Sequence, residues 1–98
     1  MVAYEIVLKP SAVADMDRLR KYYATQIADV MEKHLQHKPT KVSKTRIKRL
    51  RGIRNPDYRL RIREYRAFYT VDEEARRVEV LRVIHKNETQ SYYEELKP

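Results

Sequence analysis

Three β-forming runs follow one another between residues 58 and 84 with almost nothing between them. Tyr58-Arg-Leu-Arg-Ile-Arg63 alternates strictly, so Leu60 and Ile62 face one way and Arg59, Arg61 and Arg63 the other. Tyr65–Val71 is a second strand, separated from the first by a very tight turn at Arg63–Glu64. Residues 72–76, Asp-Glu-Glu-Ala-Arg, make a polar hairpin loop, and Arg77–Ile84 is a third strand. Gaps this short leave no room for a crossover helix, which parallel strands need. The three runs therefore specify antiparallel hairpins. Val78, Val80, Leu81, Val83 and Ile84 make the third run apolar on both faces, so it belongs inside the sheet.

The segments before and after supply the helices. Tyr4–Leu8 reads as a strand, and Pro10 ends it. Ser11 suits an N-cap, with Asp15 and Asp17 placed to complement the helix dipole. Val13, Met16, Leu19, Tyr23, Ile27, Val30, Met31 and Leu35 then recur in steps of three and four, a helical stripe. Its length predicts two helices with a break near Tyr22–Thr25, and Pro39 stops the second. Residues 38–57 read as an irregular basic connection with a short helical turn at 45–50. Asn87 is expected to cap a short last helix, with Gln90 as its capping-box partner. The expected fold is α+β over one domain, residues 1–98: an N-terminal strand and helical hairpin packed on a small antiparallel sheet, then a short C-terminal helix, in the order β-α-α-β-β-β-α.

Composition narrows the chemistry. The chain has no Cys, which excludes a disulfide framework, a thiolate zinc site and a cysteine nucleophile. It has one Gly, so there is no glycine-rich phosphate loop. No apolar run approaches the roughly 20 residues of a membrane span, and the start lacks a secretory signal. The expected location is the cytoplasm, away from membranes. The formal net charge is +8, and it is unevenly placed. Residues 38–66 carry twelve Lys/Arg against Asp57 and Glu64, while the rest of the chain is slightly acidic. Such segregation fits a polyanionic partner better than a neutral-purpose surface.

Within that patch, Arg59, Arg61 and Arg63 on one strand face and Arg66 on the next strand form an anion-binding lattice. Each guanidinium offers a fixed fork of donors that matches phosphate. Lys44, Arg46, Lys48, Arg49, Arg51, Arg54, Arg63 and Lys86 are the expected polyanion contacts around it. Tyr65, Phe68 and Tyr69 read as core, whereas Tyr92 or Tyr93 is the aromatic residue best placed to stack on a base. His85, ending the third strand beside Lys86, is the candidate for proton transfer. His34 and His37 are spaced for a metal pair but have no third ligand, and read as surface histidines. No metal or other cofactor is expected.

The succession Leu50-Arg51-Gly52, Tyr58-Arg-Leu-Arg-Ile, Tyr65-Arg66-Ala-Phe-Tyr, Val78–Val83 and a basic residue before a tyrosine-containing tail resembles the RelE/ParE superfamily. Its members are toxins of bacterial type II toxin–antitoxin systems, and the resemblance spans essentially the whole chain. It implies an acidic antitoxin as partner and one of two activities. RelE-like members cut mRNA on the ribosome without a metal, and ParE-like members inhibit DNA gyrase and are not nucleases. Carried onto this chain, the RelE pattern places Arg59, Arg61, Arg66 and Tyr92 in the catalytic site. Two departures stand out. Glu88 occupies the place of an arginine, with His85 and Lys86 nearby as replacements, and Arg63 stands where many relatives have Gly. The expectation is therefore a RelE-like endoribonuclease, with a gyrase inhibitor or a non-catalytic RNA-binding module as the alternatives.

Overall fold

A computed structural model describes residues 3–97; Met1, Val2 and Pro98, the ends of the expected domain, lie outside the described residues. The elements run β1 (Glu5–Leu8), α1 (Pro10–Asp17), α2 (Lys21–Leu35), β2 (Ile47–Arg49), β3 (Tyr58–Ile62), β4 (Tyr65–Asp72), β5 (Arg77–His85), a 3-10 turn (Lys86–Glu88) and α3 (Thr89–Leu96). Five strands form one sheet in the order β1-β5-β4-β3-β2. The α+β architecture is the expected one, and it has two additions. The sheet is not wholly antiparallel, because β1 pairs parallel to β5. Residues 47–49 form a strand at the far edge in place of the expected helical turn. Ile47 stands opposite Leu60 and is buried, while Lys48 and Arg49 are exposed, so pairing with β3 decides the conformation of this short run.

The main core lies between the helical hairpin and one face of the sheet. Ile27, Met31 and Leu35 of α2 and Ala12 of α1 meet Tyr58, Leu60, Ile62, Ala67, Tyr69, Val78, Val80 and Val83. Fully burying such side chains stabilises by about 1.5–3 kcal/mol each. The predicted stripe overreaches at Val13, where Ala12 turns inward instead, and at Tyr23, which also stays exposed. A second, smaller cluster on the opposite face joins Phe68 and Ile84 to Tyr92, with Leu50, Tyr93 and Leu96 against it. The sheet is thus covered on both faces only where α3 lies.

Helix boundaries differ from expectation for local reasons. The break falls at residues 18–20, earlier than Tyr22–Thr25. Leu19 N–H returns to the Met16 carbonyl, and extended Arg20 then starts α2 as its N-cap. Lys9, not Ser11, is the N-cap of α1, because Pro10 occupies the first helical position, where its missing N–H costs nothing. That shift puts Asp15 and Asp17 in the second half of the helix, away from its positive end. At the C-terminus, His85 replaces Asn87 as cap: its Nδ1 accepts from Asn87 N–H, and Glu88 Oε1 accepts from His85 N–H. Arg63 sits at φ 53°, the left-handed conformation that the tight turn demands.

Candidate nucleic-acid interface

The arginine lattice is a product of register. Arg59 stands opposite Lys48 on one side and Phe68 on the other, and Arg61 stands opposite Arg66, which in turn faces Ile84. Directly opposed residues share a face, so Lys48, Arg59, Arg61 and Arg66 project on the α3 side of the sheet. Arg66 is half-buried and donates from one nitrogen to the carbonyls of Arg63 (2.8 Å) and Tyr65 (2.8 Å), which fixes its guanidinium over the turn. Its partial burial, and then the charges of Arg59 and Arg61, push its pKa below the usual arginine range. Arg59 Nε is buried and makes no hydrogen bond within the described residues. Clustered like charges and a donor without an acceptor give this face the electrostatics to take an anion.

At the Lys48–Arg59 end of this row, α3 and the β2–β3 loop make a cleft of about 310 Å³ lined by Lys48, Arg49, Leu50, Arg51, Arg59, Gln90, Tyr93 and Lys97, which Arg61 and Arg66 do not line. A larger basic hollow of about 970 Å³ continues along Lys48, Arg49, Arg51 and Arg54. Arg49 also donates to the Tyr58 hydroxyl (3.0 Å). The remaining expected contacts are elsewhere. Lys44 and Arg46 are exposed on the connection after α2, with Arg46 bordering a groove beside Tyr22 and Tyr23. Arg63 is exposed at the turn. Lys86 is paired with Glu64 at 2.9 Å, a neighbour that holds the Glu64 carboxyl below its ordinary range.

Two expected catalytic residues are not where the sequence suggested. His85 lies in the row Ile62–Tyr65–His85, one step from the Arg61–Arg66 row and therefore on the opposite face. Its ring meets Tyr65 edge-on at 5.5 Å, and its Nδ1 is engaged as the helix cap. Tyr92 is buried, 4.8 Å from the Phe68 ring, with its pKa raised by burial. Tyr93, one residue on, borders the cleft with Arg59 and lies near enough to Arg66 to act on its charge. The position facing the arginines is thus Tyr93. Gln90 and Lys97 were also missed; only the one-turn spacing of Gln90, Tyr93 and Lys97 signalled them.

His34 is half-buried and its pKa is lowered, first by that burial and then by Arg46 and Lys33; His37 is exposed. Among the described residues no group of three or more His, Asp or Glu is placed to hold a metal. None of their helices is long and apolar enough to cross a membrane.

A basic, α3-covered sheet of this topology is a known toxin scaffold. Residues 6–89 match the family described as the ParE toxin of the type II toxin–antitoxin system parDE, so the chain belongs to that family, within the RelE/ParE superfamily. No curated protein matches it. Among solved structures, it is similar to the toxin–antitoxin complex RelBE2 from Mycobacterium tuberculosis, at 26% identity and TM-score 0.74, covering 86% of this chain and 99% of that one. It is also similar to a mutant of the E. coli toxin RelE in the free state, at 26% identity and TM-score 0.70, covering 96% and 94%. The fold is shared with an archaeal RelE–RelB complex from Pyrococcus horikoshii, at 21% identity and TM-score 0.67, covering 85% and 94%.

Proposed function

We propose that this toxin is a RelE-like endoribonuclease that cuts mRNA on the ribosome in the cytoplasm and is held in check by an acidic antitoxin. The observation that carries the reading is the preorganised set Arg59, Arg61 and Arg66, with Tyr93 at its edge. In metal-independent RNA cleavage the 2′-oxygen attacks the adjacent phosphorus. A 2′-O–P bond forms, the P–5′-O bond breaks, the 2′-hydroxyl loses its proton and the 5′-oxygen gains one. Between these events the phosphate carries extra negative charge. Arg61 and Arg66 stabilise that charge, Arg59 steers the phosphate, and the Tyr93 ring stacks on a neighbouring base. Arginine does not release its proton near neutrality, so the chain's contribution is electrostatic and positional rather than acid–base. The hollow along Lys48, Arg49, Arg51 and Arg54 suits the backbone of structured RNA.

The antitoxin reading is supported by the RelB-bound state of several similar RelE structures and by the charge of residues 38–66. Gyrase inhibition is the second reading, favoured by the ParE family match. Induced expression separates them. The nuclease reading expects protein synthesis to stop before DNA synthesis, and the opposite order rejects it.

A further inference from the structure

We propose that Asp15 is a positioning residue for the arginine face, acting through Arg82 to hold Tyr92 and with it α3. This rests on the reading of that face, with Tyr93, as the RNA-cleaving site.

Asp15 is the one buried charged residue among the described residues, at 4% exposure. Four donors surround its carboxylate: Arg82 Nε (2.7 Å), a terminal nitrogen of Arg82 (3.1 Å), Arg18 (2.7 Å) and the Val83 N–H (2.9 Å). The bidentate fork fixes the plane of the Arg82 guanidinium, which lies 5.5 Å from the centre of the Tyr92 ring. Arg82 thus joins α1 to α3 across β5. Buried ion pairs are seldom the most stabilising choice, since apolar residues of similar size do as well or better. What the pair supplies is direction, a cation held against one ring.

That direction matters because α3 is otherwise lightly tied. It is eight residues long, too short to be stable alone, and has no side-chain hydrogen bond at its N-cap. Its anchors are Tyr92 and Tyr93 on Phe68, with Leu96 beside them. Removing the Arg82–Tyr92 contact frees the helix to roll, and Tyr93 then leaves the arginines.

Amide hydrogen exchange on the full chain reads this without any assumption about activity. Asp15→Asn is expected to speed exchange at residues 93–97 by roughly 2- to 30-fold, the range of one cation–π contact, relative to local opening at residues 47–49 of the far edge strand β2. Core amides in β4, which open only with global unfolding, report the overall loss of stability separately. Tyr92→Leu does the same, Tyr92→Phe keeps the slow exchange because it keeps the ring face, and adding Asp15→Asn to Tyr92→Leu gives no further selective change. Should Asp15→Asn fail to fold, Asp15→Leu/Arg82→Met removes the pair while keeping the packing, and the same selective loosening is expected. Equal acceleration everywhere, additive effects of Asp15→Asn and Tyr92→Leu, or unchanged α3 protection in the apolar double variant overturns the proposal. Single-turnover RNA cleavage should fall in parallel, with ribosome affinity retained. Selective loosening of α3 in a chain whose wild type cuts no RNA rejects the nuclease reading and leaves the positioning role standing.

Discussion

Arg61 and Arg66 stand directly opposite each other on β3 and β4, two positive charges paired across an antiparallel ladder. A fold gains nothing from this, because like charges in such pairs are destabilising. The two residues differ in one respect. Arg61 is exposed, whereas Arg66 is half-buried and bonded to the carbonyls of the turn. Arg61→Ala is therefore expected to leave stability unchanged or raise it by a few tenths of a kcal/mol. Arg66→Ala should lower it by about 1 kcal/mol, since two charge-assisted bonds are lost while a repulsion is relieved. Urea denaturation of both variants checks the contrast; equal effects would mean that the Arg66 bonds do not hold the turn.

Arg63 carries the cost of a left-handed backbone at the same turn. A non-glycine residue there costs about 1–2 kcal/mol, partly offset by the greater freedom that glycine gives the unfolded chain. Arg63→Gly is expected to raise the unfolding midpoint in urea with an unchanged slope. A lower midpoint would show that the Arg63 side chain stabilises the turn by more than its strain.

The Asp15 carboxyl loses hydration on burial, which alone would raise its pKa, but its bonds to Arg82 and Val83 outweigh that and hold it below the usual carboxylate range. A pKa lowered on folding contributes stability that is present above the unfolded value, about 3.9, and lost as pH falls through the folded value. Breaking a buried pair costs about 3 kcal/mol at neutral pH, so Asp15→Asn should be less stable than wild type by that amount and by the same margin from pH 5 to 8. The gap should narrow below about pH 4. A gap that persists unchanged to pH 2 would mean that the carboxylate charge is not what stabilises.

His85 caps the last helical segment, and its ring points away from the arginine row. His85→Ala should cost about 1 kcal/mol of stability through the lost cap. Cleavage by this variant should fall by one factor at every pH, with the shape of the rate–pH profile kept. Loss of a pH-dependent rise in single-turnover rate would return His85 to the role of base.

The hairpins of β3 and β4 were legible because alternation along Tyr58–Ile62 can be satisfied by only one pairing, and the arginine lattice came with it. The residues that organise the site were harder to see. β2 is three residues long, and its conformation comes from β3 rather than from its own composition. The helix break at residues 18–20 has no Gly or Pro, so the chain marks it only by where α1 and α2 can each reach the sheet. Asp15 and Arg82 lie 67 positions apart, and each has other charges in its own element, Asp17 in α1 and Glu79 in β5. Nothing in the sequence singles out these two as partners; only the packing of α1 against β5 does. Tyr92 and Tyr93 are adjacent, so only the docking of α3 shows which one faces the arginines.

The most direct test of the account is single-turnover cleavage of mRNA on purified ribosomes with an empty A site. The wild-type chain should cut there, not on free mRNA, and the fragments should carry the 2′,3′-cyclic phosphate or its opened 3′-phosphate that 2′-oxygen attack produces. Arg66→Ala, folded, should cut about 10²- to 10³-fold more slowly, the loss seen when one donor to a developing oxyanion is removed. Intact ribosome-bound mRNA, together with gyrase-dependent DNA breaks on addition of the same chain, would contradict it.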